Sequence, residues 1–254
     1  MDNLRIADNF SRYAHLYDKY ADVQTEVASA LADSIGNGNF RNILEIGCGT
    51  GNYTLMLRDK FKSAQIKALD ISKKMISVAK DKLKDKEIEL LVADGKKISF
   101  SEDFDLITSN ACFQWFDDLG EVLRRYVKLL RDKGAIYFSI FGPHTFGELN
   151  TALIHVLKDE RINSAYFCDR NNLEAVLKDN FKSVKINEIH YKETFANLKE
   201  LLEKIKYSGI RGNGLSKEVH FNRTLLEKLE NVYLDRFQEV RATYQVFLCY
   251  GEKK

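Results

Sequence analysis

Three carboxylates punctuate the first hundred residues, and each stands at or near the end of an apolar run that reads as a β-strand. Glu45 precedes a turn with glycines at 47, 49 and 51, in the segment ILEIGCGTG. Asp70 closes the run QIKALD, 19 residues after Gly51, and Asp94 stands in LLVADG, followed by Gly95. Glycines permit positive φ and let the backbone approach a ligand closely. At the carboxyl end of the first strand of an open α/β sheet, such a turn is where ligands bind. A carboxylate at position 70 is placed to accept hydrogen bonds from both hydroxyls of a ribose, and Ser72 is expected to cap the next helix and leave Asp70 free. Met75 either lies by an adenine face or packs in the core. A dinucleotide loop would read G-x-G-x-x-G. Counted from Gly47, its third glycine falls at position 52, which is asparagine, so the spacing argues against that cofactor class. Glycine turns also follow strands that bind nothing; it is the three acids on successive strands that make the joint signal.

The elements that must position these groups follow from periodicity. Strands are expected at Asn42–Gly47, Gln65–Asp70, Glu87–Asp94, Phe104–Asn110 and Ala135–Phe141, with helices between them, notably Ser72–Leu83 and Leu119–Leu130. This alternation predicts an α/β fold with a doubly wound, mostly parallel sheet, covered on both faces. Before the first strand, Phe10, Tyr13, Tyr17, Ala21, Gln24, Ala28 and Leu31 recur at helical spacing, so residues 8–35 are expected to form one amphipathic helix or two joined ones. The segment Phe10–Gln24 is expected to act as a lid over the site. After Phe141 the rhythm changes. A strand is expected at Lys182–Tyr191, helices at Leu198–Tyr207 and Arg223–Gln238, and a last strand over 243–250. The expected organisation is a single domain over 1–254, with a cofactor-binding core at 42–141 and a cap formed by 142–181 and 192–222.

Composition narrows the function. The chain has 254 residues with 39 basic and 37 acidic side chains, a net charge of +2, so no overall field points to nucleic acid. Four scattered cysteines without C-x-x-C or zinc spacing suit a reducing compartment, and no metal site is expected. The N-terminus lacks the basic and apolar pattern of a secretory signal, and no apolar run approaches a membrane span. The expectation is a cytoplasmic protein with no membrane or nucleic-acid partner. The fourth strand runs into SNACFQWFDD. The chain's single proline is Pro143, so this stretch has neither the Pro-Pro-aromatic motif of amino-methylating DNA enzymes nor the Pro-Cys nucleophile of cytosine-C5 enzymes.

The pattern E-x-G-x-G-x-G over Glu45–Gly51 resembles motif I of class I S-adenosylmethionine-dependent methyltransferases. The resemblance implies a Rossmann-like, seven-stranded sheet with a helical N-terminal segment and S-adenosylmethionine as cofactor. It also implies that Glu45 holds the ammonium of the amino-acid end and that Asp94 receives the adenine amino group. Four longer stretches resemble the malonyl-[acyl-carrier protein] O-methyltransferases of biotin synthesis across the whole chain. They are FSRYAHLYDKYADVQ at 10–24, SNACFQW at 109–115, FGPHTFGEL at 141–149 and TYQVFLCYG at 243–251. Two departures stand out: Arg131-Asp132-Lys133-Gly134, where relatives read K-P-G-G, and the segment SGIRGNG at 208–214.

That resemblance implies methyl transfer to the free carboxylate of a malonyl thioester on acyl-carrier protein. A carboxylate is already nucleophilic at neutral pH, and no Ser-His or Cys-His pair is evident. The cofactor set then comprises Tyr17 and Gln24 of the lid, Glu45, Gly47, Gly49 and Gly51 of the first loop, Asp70, Ile71 and Met75 of the second, Asp94 and Gly95 of the third, and Asn110 of the fourth. Tyr17, Gln114 and Trp115 are the expected catalytic groups; Tyr13, Gln114, Trp115, His144 and Arg211 are the expected substrate contacts. Each has a plainer reading: helix packing for Tyr13 and Tyr17, capping of the fourth strand for Gln114 and Trp115, and a solvated side chain for His144. Arg211 lies in a glycine-flanked loop and its fork suits a carboxylate, although a solvated loop arginine reads the same way. Arg124, Arg125, Lys128, Arg131 and Lys133 form either a wet helix face or a docking surface for an acidic carrier. Two alternatives remain: methylation of another small carboxylic acid, such as an aconitate-like acid, and binding of S-adenosylmethionine without turnover.

Overall fold

The computed structural model describes residues 3–158, 160–208 and 221–254. The chain opens with helices α1 (Asn3–Tyr13), α2 (Tyr17–Tyr20) and α3 (Asp22–Ser34). Strand and helix then alternate through β1 (Asn42–Ile46), α4 (Asn52–Lys60), β2 (Gln65–Asp70), α5 (Lys73–Lys82), β3 (Ile88–Val92), β4 (Phe104–Ser109), α6 (Leu119–Leu129) and β5 (Leu130–Phe141). The remainder supplies α7 (Gly147–Leu157), α8 (Arg170–Asn180), β6 (Phe181–Phe195), α9 (Leu198–Tyr207), α10 (Arg223–Phe237) and β7 (Val240–Lys253).

The strands form one seven-stranded sheet in the order β3-β2-β1-β4-β5-β7-β6. Strands β1 to β5 pair in parallel, and β7 runs antiparallel between β5 and β6. The doubly wound, mostly parallel architecture expected from the sequence is therefore present. Its switch point lies between β1 and β4, where the chain leaves in opposite directions and a crevice opens at the carboxyl ends. Period-two alternation feeds a core on each face. Ile43 of β1 joins α3, α4 and α10 on one face; Leu44 and Ile46 join α6 and α8 on the other. Among the described residues, Ser72, Asp118, Asp169, Asn197 and Asn222 cap the α-helices they precede, each accepting a first-turn N–H. Helix α4 has no such cap; Gly51 begins it in the left-handed region at φ 86°.

Two expectations change. The N-terminal region is three helices, not one or two, because the chain turns after Tyr13 and again at Ala21. Helix α3 enters the core most deeply, burying Val23, Gln24, Val27, Ala28, Leu31 and Ala32, while α1 adds Ile6. Within 142–181, α8 packs against α6, β6 and β7. Residues 170–180 therefore cover the sheet and are no part of a cap over the strand ends. Helix α9 does meet the N-terminal segment: Lys204 Nζ donates to Asp22 at 2.6 Å, and the Gln24 amide donates to the Ser208 carbonyl at 3.1 Å.

Candidate active site

The turn after β1 folds back on β2, with the N–H groups of Gly47 and Cys48 both donating to the Leu69 carbonyl at 2.7 and 2.9 Å. Gly47 has φ +73°, and a Cβ there would overlap the Cys112 side chain, so no other residue fits without displacing the β4 loop. Gly49 has φ +53°, and its missing Cβ would point into open space along the crevice. Gly47→Ala is expected to cost about 2–4 kcal/mol from left-handed strain and overpacking together, read as a lowered melting temperature.

Asp70 ties this turn to the next one. Its Oδ2 accepts the Gly49 N–H at 3.0 Å and its Oδ1 accepts the Ser72 N–H at 2.8 Å. The Ser72 hydroxyl caps α5 through the Met75 N–H, as expected, yet Asp70 is not left free by it. Two turn N–H groups required an acceptor, and Asp70 supplies it. Each oxygen keeps a second lone pair for a ligand. Burial raises the Asp70 pKa against the lowering effect of these two bonds. Asp94 Oδ1 accepts the Lys96 N–H at 3.0 Å in the third turn.

Glu45 is 1% exposed, and its Oε2 has no partner. Burial first, and then the charge of Asp70, push its carboxyl up to about 8, against the lowering effect of the Thr54 side chain. A buried carboxylate beside a cavity is costly unless a cation meets it.

These groups line two adjoining cavities. The larger holds about 730 Å³ of empty space, partly open to solvent, and touches Asp70, Ile71, Met75, Asp94, Gly95 and Trp115. The second is lined by Gln24, Glu45, Thr50, Asn52 and Tyr53 among others. Tyr17, Gly47, Gly49 and Asn110 border both. Asn110 is fixed by its amide on the Gln24 carbonyl at 3.0 Å and by the Ser139 hydroxyl on its Oδ1 at 2.7 Å. Burial, and then the Asp70 charge, raise the Tyr17 phenol, which therefore stays neutral.

An aromatic wall closes the larger cavity. Phe10 lies 6.2 Å from Tyr17 and 6.3 Å from Trp115, whose ring meets Phe167 edge-on at 5.5 Å. Phe10, from the expected lid, lines it as well, as do Phe116, Cys112 and Lys96, which are not among the expected site residues. Phe116 directly follows Trp115 and Lys96 directly follows Gly95, so adjacency to assigned residues was the available signal. The Cys112 thiol is raised by burial and is inert as a nucleophile.

Several expected site residues stand elsewhere. Gly51 borders neither cavity and instead starts α4. Tyr13 packs edge-on against Tyr207 at 5.1 Å, beneath Lys206. Gln114 is buried with its amide on the Ala111 carbonyl at 2.6 Å; its Oε1 lacks a partner, and it borders neither cavity. The His144 side chain is exposed, and its backbone N–H donates to Gln245. Arg211 lies outside the described residues. On the basic face, Arg125 pairs with Glu121 at 2.7 Å and Arg131 with Asp105 at 3.1 Å.

The arrangement fits S-adenosylmethionine. The unpartnered oxygen of Glu45 suits a ligand ammonium, the remaining lone pairs of Asp70 suit vicinal hydroxyls, and the apolar wall suits an adenine ring. A methyltransferase-domain family profile matches residues 44–138, from β1 through most of β5. The malonyl-[acyl-carrier protein] O-methyltransferase of Acetivibrio thermocellus is 31% identical, with 97% of this chain and 92% of that protein aligned. The malonyl-[acyl-carrier protein] O-methyltransferase 1 of Ilyobacter polytropus is 36% identical over 93% of this chain and 88% of its own length. Among solved structures, phosphoethanolamine N-methyltransferase 2 of Haemonchus contortus, bound to phosphomonomethylethanolamine and S-adenosylhomocysteine, shares the fold with a TM-score of 0.57 at 17% identity, over 89% of this chain and 52% of that one. On its sheet, its first loop and these relatives, the chain belongs to the family of malonyl-[acyl-carrier protein] O-methyltransferases.

Proposed function

We propose that the protein methylates the free carboxylate of a malonyl thioester on acyl-carrier protein, using S-adenosylmethionine, and so makes the malonyl methyl ester that starts biotin synthesis. The observation that carries the cofactor half is the buried Glu45 Oε2, which has no hydrogen-bond partner, in a side chain that lines the second cavity together with Gly47 and Gly49 of the glycine turn. The names of the relatives support the substrate half. When bound, S-adenosylmethionine supplies an electrophilic methyl group on a positively charged sulfur.

The chain's own residues have three tasks. Glu45, Asp70 and Asp94 hold the ammonium, the ribose and the adenine, each from a separate strand end. The aromatic wall of Phe10, Tyr17 and Trp115 excludes water and offers ring faces to a cation. Orienting the malonyl carboxylate is the third task, and it needs donors but no general base, since the attacking oxygen is already anionic. Among the described residues, no histidine lines either cavity, which accords with that chemistry. As charge disappears on the way to the transition state, a dry pocket favours the reaction. The four unpaired cysteines support a reducing, cytoplasmic setting. Among the described residues, no helix is long and apolar enough to cross a membrane.

The deciding experiment incubates the purified protein with S-adenosylmethionine and malonyl-acyl-carrier protein and weighs the carrier by mass spectrometry. A gain of one methyl group that disappears on mild ester hydrolysis is the expected result. Methylation of free aconitate-like acids, with the carrier left unmodified, would overturn the substrate assignment.

A further inference from the structure

The short helix α2 is fastened to the cofactor loops by one side chain. Asp18 Oδ1 accepts from the Thr50 hydroxyl at 2.5 Å and from the Asn52 amide at 3.1 Å, and its Oδ2 accepts from Lys82 Nζ at 2.7 Å. Thr50 is 1% exposed and borders the second cavity together with Asn52. The contact lies at the start of α4, which has no side-chain cap of its own. A carboxylate is favoured there by the helix dipole, and Lys82 at the end of α5 is favoured by its own. The Asp18 side chain is 43% exposed, so its ion pair with Lys82 alone contributes little. The bonds from buried Thr50 and from Asn52 make the attachment specific.

A second tie lies 7 residues earlier on the chain, where the Ser11 hydroxyl meets the Ser72 hydroxyl at 2.8 Å. Ser72 and Gly49 are the residues whose N–H groups Asp70 holds. The N-terminal segment is thus fastened, through Asp18 and Ser11, to the same two turns that Asp70 clamps. Tyr17, which borders both cavities, is the immediate neighbour of Asp18.

We propose that Asp18 is a positioning residue: it latches α2 to the Thr50–Asn52 turn and so holds Tyr17 and Phe10 over the cofactor cavity. Order imposed by the ligand on the two turns then passes to the lid, and a latched lid in turn improves ligand retention, as reciprocity of coupling requires. The inference rests on the cofactor half of the proposed function and is independent of the methyl acceptor.

The test uses the full chain and S-adenosylhomocysteine. Trp115 is the single tryptophan and packs against Phe10, so acrylamide quenching of its fluorescence reports whether the lid is in place. Asp18→Ala is expected to raise the S-adenosylhomocysteine dissociation constant about tenfold, as loss of a charge-assisted contact does. Trp115 should become more quenchable without ligand and recover only partly with it. The KM for S-adenosylmethionine should rise about tenfold, while kcat at saturation changes by less than about threefold. Asp18→Asn keeps an acceptor for Thr50 and loses the charge facing Lys82, so it should fall between; it also serves if the alanine variant folds poorly. Lys82→Met should change the dissociation constant by only about twofold. A folded Asp18→Ala protein with wild-type affinity would overturn the latch. So would weakened affinity with unchanged Trp115 quenching, since Asp18 would then act without moving the lid. If the wild-type protein itself fails to bind S-adenosylhomocysteine, it is the cofactor reading that falls, and this inference with it.

Discussion

Asp70→Ala is expected to raise the dissociation constant for S-adenosylmethionine by about a hundredfold, roughly 3 kcal/mol. Two losses combine. On the proposed function the ligand loses acceptors for its ribose hydroxyls, and the Gly49 and Ser72 N–H groups lose the carboxylate that holds their turns together. The second loss should also lower stability by about 1–2 kcal/mol, because backbone donors are left without an intramolecular partner. Asp70→Asn separates the contributions. Its single carbonyl can serve one of the two N–H groups while its amide faces the other, so the turns should be disturbed nearly as much as by alanine. Titration calorimetry gives the affinity and denaturant melts give the stability. A folded Asp70→Ala protein with unchanged affinity would remove Asp70 from the ligand site.

Glu45→Gln should show opposite effects on binding and on stability. Its carboxyl is pushed up to about 8 from an ordinary value of 4.5, so between those pH values the folded chain holds a proton that the unfolded chain has released. Stability therefore falls as pH rises through this window and levels off above it. The glutamine variant carries no such cost. It should match the wild type near pH 4.5 and exceed it by up to about 5 kcal/mol at pH 9, or roughly 9 °C in Tm for a chain of this size. Binding runs the other way. If Glu45 meets the ligand ammonium, as the proposed function has it, the charged form binds better, so wild-type affinity should climb with pH up to about 8, with one proton released on binding below it. The glutamine variant should bind about 30-fold more weakly at pH 8.5 and show no such climb. A ligand-free Glu45→Gln protein that melts below wild type at pH 9 would show that Glu45 supports the fold instead of burdening it.

The sheet was legible because its strands end in residues with few other uses. Glycine at 47, 49 and 51 and acids at 45, 70 and 94 mark strand ends with almost no ambiguity once they occur in succession. The N-terminal segment was less legible. Its apolar spacing continues through Tyr13, Tyr17 and Ala21 with no glycine or proline to mark a break. The breaks accompany tertiary contacts, such as Asp18 on Thr50 and Asn52, that no local pattern contains. Helix α8 failed for a related reason. Leu173 and Leu177 give the same spacing whether the helix covers a sheet or caps a cleft. On the substrate side, Gln114 and His144 were chosen for their surroundings in the sequence. The direction of a side chain leaving a turn is set by packing, which turned one into the interior and the other to solvent. For Asp70, an accounting of turn N–H groups would have corrected the expectation from sequence alone.

Strand β7 is synthesised last among the strands yet lies between β5 and β6, pairing with both. On a ribosome, β6 is complete at Phe195 and its partner begins at Val240, so 240 − 195 = 45 residues must be added before pairing can start. At about 5–20 residues per second, that leaves both neighbouring edges open for roughly 2–9 s. Through that interval β5 offers an unpaired edge carrying Phe138, Ile140 and Phe141, all buried in the finished sheet. Nascent chains stalled within this window should therefore engage chaperones, and a stop codon before Val240 should yield aggregate rather than a shortened enzyme.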